Sequence, residues 1–522
     1  MGSDEQHGMV DLAALLSEIC VDEKLRDYVM HTEAGDDIPQ SRAEMLKLPT
    51  KEREAFIAAE LRELDRIAEL EVIEGEVPIP PGIRPINSRF VCDYKDPVSQ
   101  EGAHQFGQGE MPERLAKCRL TMKDMKNVPN YLSGMLREVF APTGQGITFR
   151  ILMVLMLVLG LDCTHIDVST AFLYAMLQIP IFMNPPVGYP CAEGHCLKVV
   201  RSLYGCRSAP RDWYKLLRGF ILSLGFTESV LDACLFMRGT GTGIFLIFIY
   251  VDDILLFCAD KVQTTDVYGQ FCKRFKCKNL GEVKRFLGVW VEISVDRSSV
   301  FLHQGQYCKK IVEKFRPFWD IFKKTQTLPL PVDIQKELAE EEVPLQEGDD
   351  NYDWWNMFPY FEMIGSALYL AIQTRPNVTF AVNLLARYSR TKPFCACVAL
   401  AHLFSFMYGT TDEGILYSIP KITSSLFDDW LDMYGMSASD WAGCLRTRRS
   451  TAGFLLSLLG GAVAWGSKVM ATIATSSMEA EYTAAYYLGK LSALFGICWA
   501  NLDYLCQSLL RSSWMPWQRF RR

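Results

Sequence analysis

The stretch FLIFIYVDDILLF, residues 245–257, sets Asp252 and Asp253 side by side in an otherwise apolar run. From Gly239 to Asp260 the chain has no Lys, Arg or His. Two adjacent, half-buried carboxylates repel each other and lose hydration, and an unpaired buried ion costs several kcal/mol even after relaxation. Two divalent cations about 4 Å apart would relieve that cost, activating an attacking hydroxyl and steadying a departing oxygen. Magnesium prefers hard oxygen ligands and phosphate partners, which suits carboxylates. A plain Asp-containing hairpin turn is the alternative. A third carboxylate bears on the choice. HIDVSTAF places Asp167 after an apolar run, between Ile166 and Val168, as a strand would. A neighbouring strand could bring it beside the hairpin tip. DVSTAFL could also open a helix with Asp167 as its N-cap, and a strand end leading into a helix satisfies both.

The elements that must hold these carboxylates are legible in outline. GTGIFLIFIYVDDILLFCAD reads as strand, tight turn, strand, with the aspartates at the tip. The segment 209–225, APRDWYKLLRGFILSLG, reads as a helix, and 147–174 as helix or strand running into THIDVSTAFLY. Upstream, KEREAFIAAELRELDRIAEL spaces Ile57, Leu61, Leu64 and Ile67 as one face of an amphipathic helix. VPIPPGIRPI breaks it. INSRFVCDYK reads as a strand, and AHQFGQGEMPE as a loop before AKCRL. Residues 335–353, QKELAEEEVPLQEGDDNYD, read as an exposed acidic linker. FEMIGSALYLAIQTRPNVTFAVNLLARYS is largely helical, and 430–505 mixes short strands with a helix beginning near SSMEAEYTA.

Charge is unevenly spread. The 522 residues carry a net −7, but residues 1–80 hold 20 acidic and 8 basic side chains, and residues 332–353 hold 9 and 1. The rest of the chain therefore carries a net +13. Its positive charge is clustered. One group is Lys198, Arg201, Arg207, Arg211, Lys215 and Arg218; another is Lys273, Arg274, Lys276, Lys278, Lys284 and Arg285. A third, YCKKIVEKFRPFWDIFKKT at 307–325, interleaves six basic residues with aromatics. Such clusters suit a phosphate backbone, although solvated helix faces look similar. The longest apolar run, ILMVLMLVLGL at 151–161, is too short to span a bilayer. The acidic opening is no signal peptide, and the seventeen cysteines lack zinc-site spacing. An intracellular chain, cytoplasmic or nuclear, with reduced thiols and no membrane partner is expected.

Many of these segments occur in a telling order. HIDVSTAFLYAML, NPPVGYP, LYGCRSAPRDWY, YVDDILLF, FLGVWVEI, LHQGQYCKKIV, IGSALYL and TRPNVTFAV resemble, in sequence and order, copia-type retrotransposon reverse transcriptases. Downstream, SDWAGCLRTRRSTAGFLL, AVAWGSK and SSMEAEY resemble the ribonuclease H segment of the same Pol polyproteins. The likeness runs from about residue 59 to 487. It implies an α+β right-hand polymerase of fingers, palm and thumb, then a connecting region and a ribonuclease-H-like α/β domain. The corresponding boundaries are an acidic leader to 58, polymerase over 59–331, linker over 332–355, connection over 356–429, and a truncated ribonuclease-H-like domain over 430–522. The resemblance further implies that Asp167, Asp252 and Asp253 form the palm triad. Asp167 and Asp252 would hold Mg2+ or Mn2+, with Asp253 in support. Lys117 and Arg119 of AKCRL match the basic pair that holds the triphosphate. Phe172 matches the aromatic that crowds a ribose 2′-OH, the group that distinguishes RNA from DNA chemistry. The implied partners are an RNA or DNA template with its primer, and deoxynucleoside triphosphates.

Three departures from the family pattern stand out. YGCRSAPR has Ser208 where YGLKQAPR has a glutamine lining the nucleotide pocket, and serine is too short for the same contacts. The fingers continuation KARLVAKG is replaced by KCRLTMKDMKN. In MSASDWAG the leading ribonuclease H aspartate is replaced by Ala438, leaving Asp440 and Glu481. The segment bearing the later catalytic aspartate is not recognisable, with Asp503 a weak stand-in. Nothing resembles the integrase, protease or nucleocapsid parts of a Pol polyprotein. The expectation is an RNA-directed DNA polymerase with an inactive ribonuclease H domain. The rival reading is a catalytically dead remnant that at most binds nucleic acid. An unrelated two-metal phosphotransferase would require the motif order to be accidental.

Overall fold

The computed structural model describes residue 39 and residues 41–95, 115–123, 139–230, 232–239, 243–322, 324–340, 345–419 and 433–505, with backbone only at 95 and 493–505. The acidic leader expected up to residue 58 gives way to helix well before that point. Helix α1 (Arg42–Met45) is capped by Ser41, whose hydroxyl accepts from the Glu44 N–H, and α2 spans Thr50–Glu69. The buried face of α2 is Phe56, Ala59, Glu60, Glu63 and Ile67, whereas Leu61 is 54% exposed. The predicted stripe through Ile57, Leu61 and Leu64 is thus rotated. The helix lies on the hairpin of β2 (Ser88–Lys95) and β3 (Leu115–Met122), which follow β1 (Ile73–Pro78), and that neighbour dictates the face. The AHQFGQGEMPE loop lies outside the described residues.

Helix α3 (Gly146–Leu159) is buried from Phe149 to Leu157 and apolar there except for Arg150, as a helix packed on several sides must be. It ends on Gly160, whose φ of +62 is the left-handed stop glycine tolerates. Strand β4 (Asp162–Val168), β5 (Met176–Met183), β6 (His195–Arg201), α4 (Ala209–Ser223), β7 (Thr227–Glu228), β8 (Leu235–Arg238), β9 (Phe245–Tyr250), β10 (Asp253–Cys258), α5 (Lys261–Arg274) and β11 (Cys277–Glu282) follow. One sheet has the order β1-β6-β5. The central sheet, six-stranded and antiparallel throughout, has the order β11-β4-β10-β9-β8-β7. Strands β9 and β10 are buried on both faces, which is why FLIFIY and ILLF are continuous apolar runs and not alternating ones.

Strands β12 (Arg285–Phe286), β13 (Val289–Ile293) and β14 (Ser299–His303) then pair with β15 (Gly414–Ser418) in a four-stranded sheet. Between β14 and β15 runs a helical layer with its own core: α6 (Gly305–Lys314), α7 (Arg316–Trp319), α8 (Ile334–Glu337), α9 (Tyr352–Met357), α10 (Tyr360–Gln373), α11 (Thr379–Ala386) and α12 (Phe394–Gly409). The segment expected as an exposed linker is tied into that core. Ile334 and Leu338 are both buried, because apolar side chains one helical turn apart outweigh the surrounding acids.

The C-terminal unit is a three-stranded meander, β16 (Tyr434–Asp440), β17 (Thr451–Leu458) and β18 (Gly461–Val469), followed by α13 (Ser477–Leu505). It is joined to the central sheet through α3. The buried Arg150 donates from Nε to the Val463 carbonyl at 2.7 Å and stacks over the Trp465 ring at 4.3 Å. The largest hydrophobic core runs continuously from the central sheet into β17 and β18. Among the described residues, no helix is long and apolar enough to cross a membrane.

Candidate active site

Strands β9 and β10 are joined by a turn at Val251–Asp252, so Asp252 sits in the turn and Asp253 begins β10. Val251 has φ +58, a left-handed conformation that a β-branched residue adopts only when its surroundings impose it. The surroundings are identifiable. The buried Trp213 of α4 donates its indole N–H to the Val251 carbonyl at 2.6 Å, and the Val168 N–H donates to the Asp252 carbonyl at 2.9 Å. The turn is therefore gripped from a helix on one side and from β4 on the other.

Strand β4 brings the third carboxylate. In its antiparallel register with β10, Asp167 lies directly opposite Asp253, and Ile166 opposite Ile254. Asp167 does not cap a helix. The short 3-10 turn that follows, Ala171–Tyr174, has Thr170 at its N-cap position. Burial pushes the Asp252 carboxyl up to about 6, and the negative charges of Asp253 and Asp167 add to the effect, with the Arg119 guanidinium opposing them. The upward shift shows that burial and like charge outweigh the nearby guanidinium.

Asp253 has a partner that the local sequence does not reveal. His165, buried on β4 two residues before Asp167, has Nε2 2.9 Å from Asp253 Oδ1. Its signal was in the sequence: period-two alternation puts His165 and Asp167 on one face of a strand. On the other side of β4, the register with β11 sets Lys278 opposite Asp167. This places one member of the second basic cluster beside the carboxylates.

The expected nucleotide contacts divide. Lys117 and Arg119 alternate along β3 with the buried Ala116, Cys118 and Leu120, and so share the outer face of the hairpin. The Arg119 guanidinium lies over the Tyr204 ring at 4.9 Å, and Phe172 meets the same ring edge-on at 5.6 Å. Burial pushes the Tyr204 hydroxyl up to about 12. Tyr204 is the missed member of the group. It forms a bridge to Thr121 of β3, and its carbonyl accepts from the Met122 N–H at 2.8 Å. The approach requires Gly205, at φ +85, where a Cβ would collide with the Met122 carbonyl oxygen. Ser208 is placed otherwise than expected. It is 2% exposed at the start of α4, with its hydroxyl 3.3 Å from Cys206 Sγ, so it faces another side chain and not an open pocket.

Among the described residues, no three His, Cys, Asp or Glu side chains form a ready-made metal cage. Magnesium is commonly held by one or two carboxylates with substrate phosphates completing its shell. Asp167 and Asp252, with the Arg119 guanidinium close enough to oppose the Asp252 shift, fit that mode and not a closed protein cage.

The C-terminal carboxylates are differently employed. Asp440, last residue of β16, accepts the Thr451 N–H at Oδ1, and burial raises its carboxyl. Glu481 of α13 accepts the Ser439 N–H at 3.1 Å. Ala438, two residues before Asp440 on β16, pairs in register with Gly453. The side chain of Asp503 lies outside the described residues.

The family described as "Reverse transcriptase (RNA-dependent DNA polymerase)" matches residues 76–327. The chain is similar to the retrovirus-related Pol polyprotein from transposon TNT 1-94 of Nicotiana tabacum, 27% identical over 472 residues, covering 89% of this chain and 32% of that one. It is also similar to the Pol polyprotein from transposon RE1 of Arabidopsis thaliana, 28% identical over 347 residues, covering 66% of this chain and 22% of that one. The chain thus spans less than a third of the length of either relative. A solved foamy viral protease–reverse transcriptase in complex with double-stranded DNA aligns with a TM-score of 0.33 at 12% identity, over 84% of this chain and 61% of that one, too distant to bear on the fold.

Proposed function

Because the chain belongs to the copia-type retrotransposon Pol proteins and carries their reverse transcriptase region, we propose that it extends a primer on an RNA template by two-metal nucleotidyl transfer. In this reading the six-stranded sheet is the palm, the β2–β3 hairpin belongs to the fingers, and the C-terminal meander with α13 is the ribonuclease-H-like domain. The observation that carries the proposal is the register of Asp167 against Asp253 at the mouth of a hairpin whose turn holds Asp252.

Asp167 and Asp252 would hold the divalent cations, which when bound lower the cost of ionising the primer hydroxyl and balance charge on the triphosphate. Asp253, fastened by His165, fixes the base of the turn. Lys117 and Arg119 bind and orient the triphosphate through charge-assisted contacts. Phe172, set edge-on against Tyr204, crowds the sugar where a 2′-OH would lie. Template and primer follow the basic clusters, whose contacts to phosphates are independent of sequence. In the C-terminal domain Ala438 offers no ligand, and Asp440 Oδ1 and Glu481 Oε1 each accept a backbone N–H, which supports the reading of an inactive ribonuclease H domain.

Primer extension on an RNA template with Mg2+ or Mn2+, beside an Asp252→Asn control, tests the reading. Extension by the wild-type chain alone supports it. A folded chain that binds primer–template and extends nothing would leave the nucleic-acid-binding remnant, the reading that the burial of Ser208 favours.

A further inference from the structure

The β2–β3 hairpin carries a pair of thiols that the proposed polymerase chemistry does not use. Its antiparallel register sets Cys92 directly opposite Cys118, and the two sulfurs are 2.6 Å apart. Carbon atoms in van der Waals contact settle at about 3.5–4.0 Å, and sulfur is larger than carbon, so two separate thiols are crowded in this position. Cys118 stands in KCRL where the related KARL has alanine, so the second sulfur is a feature of this chain.

The surroundings suit a cross-link. The pair lies on the face of the hairpin turned to α2, in a satellite core whose buried members are Met45, Phe56, Ala59, Ala116 and Cys118. A core that small supplies little stabilisation, the circumstance in which covalent staples are most useful. Cys118 is buried under the Phe56 carbonyl, whereas Cys92 is partly exposed. A dissolved reagent therefore reaches Cys92 and not Cys118. The hydrogen bond with Cys92, together with burial, holds the Cys118 thiol well above its ordinary range. Cys92 is thus the sulfur that opens the exchange.

We propose that Cys92 and Cys118 form a reversible disulfide that staples β2 to β3, with a small-molecule disulfide such as oxidised glutathione as the oxidant. The Cys92 thiolate attacks one sulfur of the oxidant, breaking its S–S bond, releasing one thiolate and leaving a mixed disulfide on Cys92. The Cys118 sulfur, after losing its proton to solvent, attacks Cys92 Sγ and releases the second thiolate. Two protein thiols are oxidised to one disulfide, and one small disulfide is reduced to two thiols. The staple fixes the strand that presents Lys117 and Arg119 on either side of Cys118, so it sets the rigidity of the hairpin's basic face.

The test uses the full chain, equilibrated with oxidised or with reduced glutathione, quenched in acid, alkylated and mapped by peptide mass spectrometry. With alkylation carried out after denaturation of the quenched chain, oxidised samples should yield a linked Cys92–Cys118 peptide with loss of alkylation at both positions, and reduced samples should yield both residues alkylated. Cys118→Ala should leave glutathione attached to Cys92. The oxidised wild type should melt at a higher temperature than the reduced, a shift that Cys118→Ala removes. Full alkylation of both cysteines in the oxidised sample of a cooperatively melting chain would overturn the proposal, as would a linkage of either cysteine to another partner. Neither readout depends on polymerase activity.

Discussion

Two sets of carboxylates in this molecule began from similar promise and were put to opposite uses. At the β9–β10 turn, strands distant in sequence press Asp167, Asp252 and Asp253 together, and the charge on Asp252 is costly enough to lift its carboxyl to about 6. In the C-terminal unit, Asp440 and Glu481 each take a backbone N–H, of Thr451 and Ser439, and act as fasteners between β16, β17 and α13. Crowding by like charge adds to the cost of ionising Asp252, whereas the Thr451 N–H lowers that cost for Asp440 without cancelling the upward push of burial. The difference lies in what faces each residue, not in residue type.

The sharpest way to break this comparison is to neutralise one member of each set. Asp252→Asn should lower primer extension by about 10³-fold or more, since loss of a single charge-stabilising group costs about 10²–10³ and this one would hold a metal. Primer–template affinity should stay within about twofold, because phosphate contacts carry it. A variant that still extends primers would remove the turn from the chemistry. Asp440→Ala should instead cost about 1–3 kcal/mol in urea unfolding, the penalty for orphaning the Thr451 N–H, with the extension rate per folded molecule unchanged. Loss of extension without loss of stability would show that the C-terminal carboxylate had been misassigned.

The pH dependence separates the two states of Asp252 itself. Its folded carboxyl titrates at about 6, above the ordinary 3.8, so the native state binds the proton more tightly than the unfolded chain does. The stabilising contribution is complete below about pH 4 and is lost as pH rises to about 6. In metal-free urea melts from pH 4 to 7, wild type should therefore lose on the order of 2 kcal/mol relative to Asp252→Asn. Parallel curves for the two proteins would refute the crowding. The smallest effect is expected from Ala438→Asp. It restores one carboxylate where Asp440 Oδ1 and Glu481 Oε1 already accept backbone N–H groups, so a labelled RNA–DNA hybrid should remain uncut. Robust cleavage would mean that Asp440 and Glu481 exchange their backbone partners for cations.

Much of the site could be read before any coordinates. The DD doublet, Asp167 on a strand and the helix over 209–225 carry local signals, in apolar runs or helical spacing, whereas the basic pair Lys117 and Arg119 is marked only by the family resemblance. Other members are not singled out by theirs. His165 reads as one more polar residue in a strand, and Tyr204 as part of a turn. The indole of Trp213 is separated from the carbonyl it holds by 38 residues. The rotation of the α2 face, which buries Glu60 and Glu63 and exposes Leu61, and the anchoring of the acidic segment through Ile334 and Leu338 depended likewise on neighbours that arrive from elsewhere.

By itself the sequence determined which elements form and which residue types are available at their ends, because backbone periodicity and side-chain polarity are properties of short stretches. It also fixed the order of motifs from which family membership follows. Only the tertiary structure decided which carboxylates meet. Register across a sheet sets Asp167 against Asp253 and Lys278 against Asp167. A slip of one residue would have turned every one of those side chains to the opposite face. The electrostatic energy that makes Asp252 a candidate metal ligand depends on distance and burial, and both are set by packing between segments far apart in the chain.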